Sequence, residues 1–166
     1  MDHKTSLTQH ISAPAEKVWD VISDLPGSAA TLSAVDSIQM LTDGSYGEGT
    51  RWKETRTMLG RSETVEMWVS QCEPPTRQAL GGTPAGVPSA STTVKALQGG
   101  ADYTTRFVLA ESDGGTDLTV TFDARVVRPT LVSRVMMSVF GPLGMRISRK
   151  ALAKDLTEIA AKAESL

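Results

Sequence analysis

Two stretches of period-two alternation, at residues 102–109 and 118–126, constrain this chain more than anything else in it. In the first, Tyr103, Thr105, Phe107 and Leu109 alternate with Asp102, Thr104 and Arg106. In the second, Leu118, Val120, Phe122, Ala124 and Val126 alternate with Thr119, Thr121, Asp123 and Arg125. Side chains on a strand point to its two faces in turn, so each stretch predicts a strand with one buried and one wet face. Asp113-Gly114-Gly115 between them reads as a turn, which pairs the two strands antiparallel. Beyond Pro129 the period changes. Leu131, Val135, Val139, Ile147, Leu152, Leu156 and Ile159 recur at helical spacing up to about residue 163. Gly141-Pro142 and Gly144 fall inside that run and predict a kink or a short break.

The earlier chain supplies more strands. Residues 4–12 read as a strand rich in Thr and Ser, with Leu7 and Ile11 on one face. A helix follows, with Ser12 or Ala13 near its cap, Pro14 in its first turn and Glu16 at its positive end. Val18, Trp19, Val21 and Ile22 form its apolar face, and Leu25-Pro26-Gly27 ends it. A short second helix is predicted over 27–34. Strands are predicted over 35–42, 50–58 and 62–72, with turns at Asp43-Gly44-Ser45 and Leu59-Gly60-Arg61; Glu73-Pro74-Pro75 stops the last of them. Between 76 and 100 the next strand is either 76–80 or 91–97, the second being preferred. The Gly- and Pro-rich stretch 81–89 is a surface loop or a lid.

This order predicts an α+β fold. A curved antiparallel sheet of six to seven strands carries two short helices after its first strand and is wrapped around a long C-terminal helix. A curved sheet closed by one helix encloses space, which is where a ligand would go.

Composition narrows the function. At 166 residues the chain is expected to be one domain over 1–166, large enough to bury roughly 70% of its unfolded surface without staples. Its 17 basic and 19 acidic residues are scattered and leave a net charge of -2, which argues against a nucleic-acid partner. Cys72 is the one cysteine and there are two histidines, so neither a disulfide nor a His/Cys metal site is expected, and no cofactor is implied. Residues 1–10 are polar, so no signal peptide is expected. No apolar run reaches the roughly 18 residues of a membrane span. A soluble, cytoplasmic monomer or weak homodimer is the resulting expectation.

Candidate site residues concentrate in the 50–72 hairpin. Glu54, Arg56 and Glu66 lie on its two strands, on the faces that also carry Trp52 and Trp68. They are either a cavity-facing cluster, in which Glu54 and Glu66 act as acid and base and Arg56 orients a ligand, or cross-strand ion pairs on a wet face. Trp68 offers area and one donor, and Ser70 an adaptable hydroxyl. Cys72 reads as a small apolar residue, since a thiolate needs basic neighbours. His10 is out of phase with Leu7 and Ile11 and reads as solvated or packed. Val132, Met136 and Phe140 on the long helix, with Phe107 on its strand, are either plain core or the wall of a ligand cavity.

Four segments carry a family resemblance. SAPAEKVWDVISD at 12–24, GEGTRW at 47–52, CEPP at 72–75 and DGGT at 113–116 resemble, in order and spacing, the polyketide cyclase/START (Bet v 1-like) superfamily. The resemblance implies the helix-grip fold and a cavity between sheet and helix. A subgroup, the tetracenomycin-type aromatase/cyclases, is similar around Trp68-Val69-Ser70-Gln71-Cys72. Carried over, this similarity would turn Glu66, Trp68, Ser70 and Cys72 toward the cavity. The subgroup has arginine where this chain has Cys72 and tryptophan where it has Glu66, so an arginine that would polarise an enolising carbonyl is absent there. That moves the expectation from cyclase toward a binder of a hydrophobic, polycyclic or polyketide-like molecule, serving natural-product biosynthesis or enediyne-type self-resistance. The alternatives are a polyketide cyclase/dehydratase working through a cavity carboxylate, and a protein-interaction module with a filled core.

Overall fold

Six residues with left-handed backbone organise most of the sheet. Leu59 and Gly60 (φ 52° and 74°), Gly99 and Gly100 (60° and 81°), and Asp113 and Gly114 (43° and 76°) form three two-residue turns. Positive φ at both central residues is the type I′ geometry, whose twist matches that of paired strands. The structure, a computed structural model, describes residues 2–76, 86–128 and 131–166, with side chains described except at 2, 3 and 132–142. Its elements are β1 Asp2–Ile11, α1 Ala15–Ser23, α2 Ser28–Thr31, β2 Val35–Met40, β3 Arg51–Met58, β4 Arg61–Glu73, β5 Pro88–Gln98, β6 Ala101–Ser112, β7 Gly115–Val126 and α3 Leu131–Ser165. The strands form one curved, open antiparallel sheet in the order β1-β7-β6-β5-β4-β3-β2.

The three turns join β3 to β4, β5 to β6 and β6 to β7. Leu59 is the misfit among their residues, since a branched side chain in the left-handed region costs about 1–2 kcal/mol and this one is 80% exposed. Leu59→Asn is therefore expected to stabilise the protein by about 1 kcal/mol, seen as a higher denaturation midpoint at unchanged slope. A lower midpoint would refute that reading of the turn.

The predicted alternation of β6 and β7 is present: Phe107 pairs with Val120, and Leu109 with Leu118. Their inner face packs a buried cluster that includes Ile11, Val18, Leu109, Leu118, Val120, Leu156, Ile159 and Ala163. Each large aliphatic side chain buried there contributes about 1.5–3 kcal/mol. The strand at β5 corresponds to the preferred 91–97. The alternative at 76–80 lies, except for Thr76, outside the described residues, as does most of the 81–89 loop. Helix α1 starts one or two residues later than expected: Pro14, not Ser12 or Ala13, is its N-cap, and its carbonyl accepts from Lys17 and Val18.

Helix α3 spans 35 residues as one element, so the short break expected at Gly141-Pro142 is absent. A proline withholds its own N–H and crowds the carbonyl four residues back, which weakens a helix locally without having to end it. Polar clasps hold α3 against the rest. Arg149 Nη1 donates to Thr5 Oγ1 (3.1 Å) and the Ser6 carbonyl (3.2 Å), the Ser33 amide donates to Glu158 Oε2 (2.9 Å), and the Ser12 amide donates to Glu164 Oε1 (2.9 Å). They reach β1, the end of α2 and the start of α1. Among the described residues, no helix is long and apolar enough to cross a membrane.

Candidate functional site

Turn length decides which side chains of the β3–β4 hairpin face α3. A three-residue turn over 59–61 would pair Met58 with Ser62 and place even-numbered residues of both strands on one face. The actual two-residue turn pairs Met58 with Arg61, Glu54 with Val65 and Trp52 with Met67. One residue of register flips a whole strand. Trp52, Glu54 and Arg56 therefore share the inner face with Val65, Met67 and Val69, whereas Glu66 and Trp68 take the outer one. There Glu66 pairs with Arg51 at 3.2 Å, and Arg51 lies 5.5 Å from the Trp68 ring centroid. The expected grouping of Glu66 with Glu54 and Arg56 is thereby corrected.

A bulge then reverses the parity of β4. Val69 pairs with Val94, but Gln71 pairs with Thr93 and Cys72 with Thr92. Ser70 is the extra residue, its hydroxyl donating to the Thr93 carbonyl at 3.3 Å. Cys72 returns to the inner face, against a second cluster of Leu25, Trp52, Val69 and Val94. The four residues expected to share one face are thus divided: Glu66 and Trp68 outside, Ser70 in the bulge, Cys72 inside.

The inner face carries a buried charged group built from two elements. Arg56 Nε donates to Glu54, Arg56 Nη1 donates to Asp155 Oδ2 at 2.7 Å, and Trp52 Nε1 donates to Glu54 Oε2 at 3.4 Å. The side chains of Glu54 and Asp155 are 10% and 13% exposed. Two carboxylates thus share one guanidinium across the gap between β3 and α3. Burial holds Arg56 back from charging, but Glu54 and Asp155 outweigh it and keep the guanidinium protonated. Burial pushes the Asp155 carboxyl above its ordinary range; Arg56 offsets this only in part, and Glu54 adds to it. Asp155 Oδ1 is buried and accepts no hydrogen bond among the described residues. Such an orphaned acceptor costs about 1–3 kcal/mol, which a hydroxyl donor would recover.

Asp155 was not among the sequence candidates. Its signal was position: it lies within the inward row of Leu152, Leu156 and Ile159, where a carboxylate is out of place.

A second, neutral polar group faces the same cluster. The Tyr46 hydroxyl lies 2.8 Å from Thr92 Oγ1, Thr92 is within reach of the Gln71 carbonyl at 3.2 Å, and Tyr46 meets Trp19 edge-on at 6.0 Å. Burial pushes the Tyr46 phenol up to about 12, so it stays protonated. Burial, and Glu48 nearby, push the Cys72 thiol up, so Cys72 is no ready nucleophile.

Packing is uneven along the inner face. Leu109, Leu118 and Val120 are at most 1% exposed, but Phe107, Tyr103 and Phe122 are only partly buried, Tyr103 and Phe122 stacking at 6.0 Å. Phe107 borders both clusters. The side chains of Val132, Met136 and Phe140 lie outside the described residues. His10 pairs with Asp117 at 2.8 Å on the outer face. Among the described residues, no group of three metal-ligating side chains comes together.

Solved structures with this fold span the whole chain. One from Thermus thermophilus is similar with a TM-score of 0.73 at 16% identity, covering 98% of each chain. The Zhui aromatase/cyclase from Streptomyces sp. R1128 is similar with a TM-score of 0.70 at 15% identity, covering 99% of this chain and 94% of its own. A START superfamily protein from Mycobacterium smegmatis has a TM-score of 0.69 at 17% identity, covering 98% of each chain. At these identities the likeness concerns the fold, and a search of curated proteins gave no match. The model of one family, described as polyketide cyclase / dehydrase and lipid transport, matches residues 2–164. With the helix-grip architecture and a match over nearly its whole length, the chain belongs to the polyketide cyclase/dehydrase and lipid transport family.

Proposed function

We propose that the protein binds a hydrophobic, polycyclic or polyketide-like molecule between the inner face of the sheet and α3. The observation that carries this reading is the partly buried aromatic floor of Phe107, Tyr103 and Phe122 on the same face of the sheet as a buried charged group with a spare acceptor. Apolar walls supply affinity, and few polar groups fix orientation. Trp52, Phe107 and the neutral Cys72 would line the site from the sheet, and Val132, Met136 and Phe140 from the helix. Arg56 would orient a carbonyl, and Asp155 would accept from a hydroxyl. Natural-product biosynthesis or self-resistance would be the setting of such a binder.

Thermal-shift and native mass-spectrometry measurements against polycyclic aromatic polyketides and fatty acids test it. A true ligand at 100 times its Kd stabilises by about 2.7 kcal/mol. No stabilisation and no bound mass with any of them would overturn the reading.

The raised Asp155 carboxyl favours a second reading, a cyclase/dehydratase. Asp155 would take a proton from carbon next to a ligand carbonyl, the electron pair passing to the carbonyl oxygen beside Arg56. The same proton would then leave with a hydroxyl as water. Glu54→Gln and Asp155→Asn decide this: turnover that survives both removes the proton-transfer role.

A further inference from the structure

Charge in the Glu54–Arg56–Asp155 group does not balance. One guanidinium, Arg56, stands between two carboxylates whose side chains are 10% and 13% exposed. Glu158, one turn further along α3, adds a negative field at Asp155, and the exposed Lys154 acts on Glu158. The hydrogen bonds are as unequal as the charges. Both oxygens of Glu54 are taken, Oε1 by Arg56 and Oε2 by the Trp52 indole. Asp155 has Oδ2 on Arg56, but its Oδ1 is buried without a donor among the described residues. The neutral polar group nearby offers an acceptor as well. Thr92 spends its one proton on the Gln71 carbonyl, so the Tyr46 hydroxyl donates to Thr92 and keeps its own oxygen as an acceptor. Trp52 joins the two groups, since its ring packs in the cluster that Tyr46 borders while its N–H holds Glu54.

We propose that the ligand of this site is a hydrophobic body carrying a basic amine, its ammonium seated on Asp155 Oδ1, an assignment that rests on the binding reading above. A buried charge is tolerated only when it is paired and hydrogen-bonded, and here one negative charge and one acceptor are left over on the same carboxylate. An ammonium supplies both the donor and the opposite charge. A hydroxyl supplies the donor alone. A carboxylate supplies neither and brings a third anion beside Glu54 and Asp155. Arg56 does not reverse this order: its Nε and Nη1 are committed to the two carboxylates, and its other N–H groups suit a neutral carbonyl elsewhere on the ligand. Burial also holds the Asp155 carboxyl above its ordinary range despite Arg56, so a further cation there is favoured.

Probes with one aromatic body and different head groups test this: anthracenylmethylamine, anthracenylmethanol and anthracene carboxylate, titrated by their fluorescence at neutral pH. The amine is expected to bind about ten-fold tighter than the alcohol, and the carboxylate about ten-fold weaker than it. Asp155→Asn should bring amine and alcohol within about two-fold of each other. It should change the alcohol's own affinity by less than about three-fold, which separates lost charge from lost structure. Glu54→Gln should narrow the amine's lead too, whereas Asp113→Asn, the same change at the exposed β6–β7 turn, should not. An amine that binds no tighter than the alcohol overturns the assignment and leaves the binding reading standing. So does an amine preference that Asp155→Asn and Glu54→Gln both leave intact. If none of the probes binds, the assignment falls, and the screen of polyketides and fatty acids decides the binding reading separately.

Discussion

Arg56→Met is expected to cost the fold about 3–5 kcal/mol at neutral pH, because it leaves Glu54 and Asp155 buried together with no cation. The variant's pH dependence distinguishes this from simple loss of packing. Burial already raises the Asp155 carboxyl in the native state, and losing Arg56 raises it further. A carboxyl that binds its proton more tightly folded than unfolded favours the fold at low pH, below its unfolded value. That contribution is lost as the pH rises through its folded value. The gap between wild type and variant should therefore narrow as the pH is lowered from about 7 to about 5. Adding Asp155→Asn should recover part of the loss at neutral pH. Urea titrations at both pH values read it directly. A gap below about 1 kcal/mol, or one that widens on acidification, would mean that the cluster is solvated and the carboxylates are not strained.

Gly115→Ala is expected to destabilise by about 2–4 kcal/mol, for a reason unrelated to charge. Gly115 begins β7, where β1 passes so close that an added Cβ would fall on the Ile11 carbonyl oxygen, with His10 Nε2 at 3.1 Å. A backbone oxygen cannot swing aside as a side chain can, so β1 would have to part from β7 near the pairing of Ile11 with Thr116. The neighbouring Gly114→Ala is the control. Nothing lies within 4 Å of its added Cβ, so only the left-handed backbone (φ 76°) counts against it, about 1 kcal/mol. Denaturation midpoints that rank the two the other way would contradict the close approach of β1.

Much of the fold was legible because it follows from local periodicity. Phe107, Leu109, Leu118 and Val120 alternate strictly, and they meet in register because Asp113-Gly114 turns the chain in two residues. The site was less legible, and the failure has one main source. Whether Arg61 belongs to the turn or to β4 decides the face of Glu66 and Trp68, and Leu59-Gly60 carries no strong turn signature to settle it. The bulge at Ser70 is equally silent, since no residue type demands it. Cys72 consequently faces inward by a different route from the one the simple alternation implied.

What the amino-acid order determined by itself was the set of elements: two alternating strands, hairpin partners before them, an amphipathic first helix and a long last one. Those depend on side-chain period and turn chemistry, which act within a dozen residues. The tertiary structure alone decided which charges meet. Arg56 and Asp155 are 99 residues apart in the chain, and only the packing of α3 on the inner side of the sheet brings them to 2.7 Å. The same docking buries both carboxylates, and burial is what turns an ordinary aspartate into a group with a raised carboxyl and a spare acceptor.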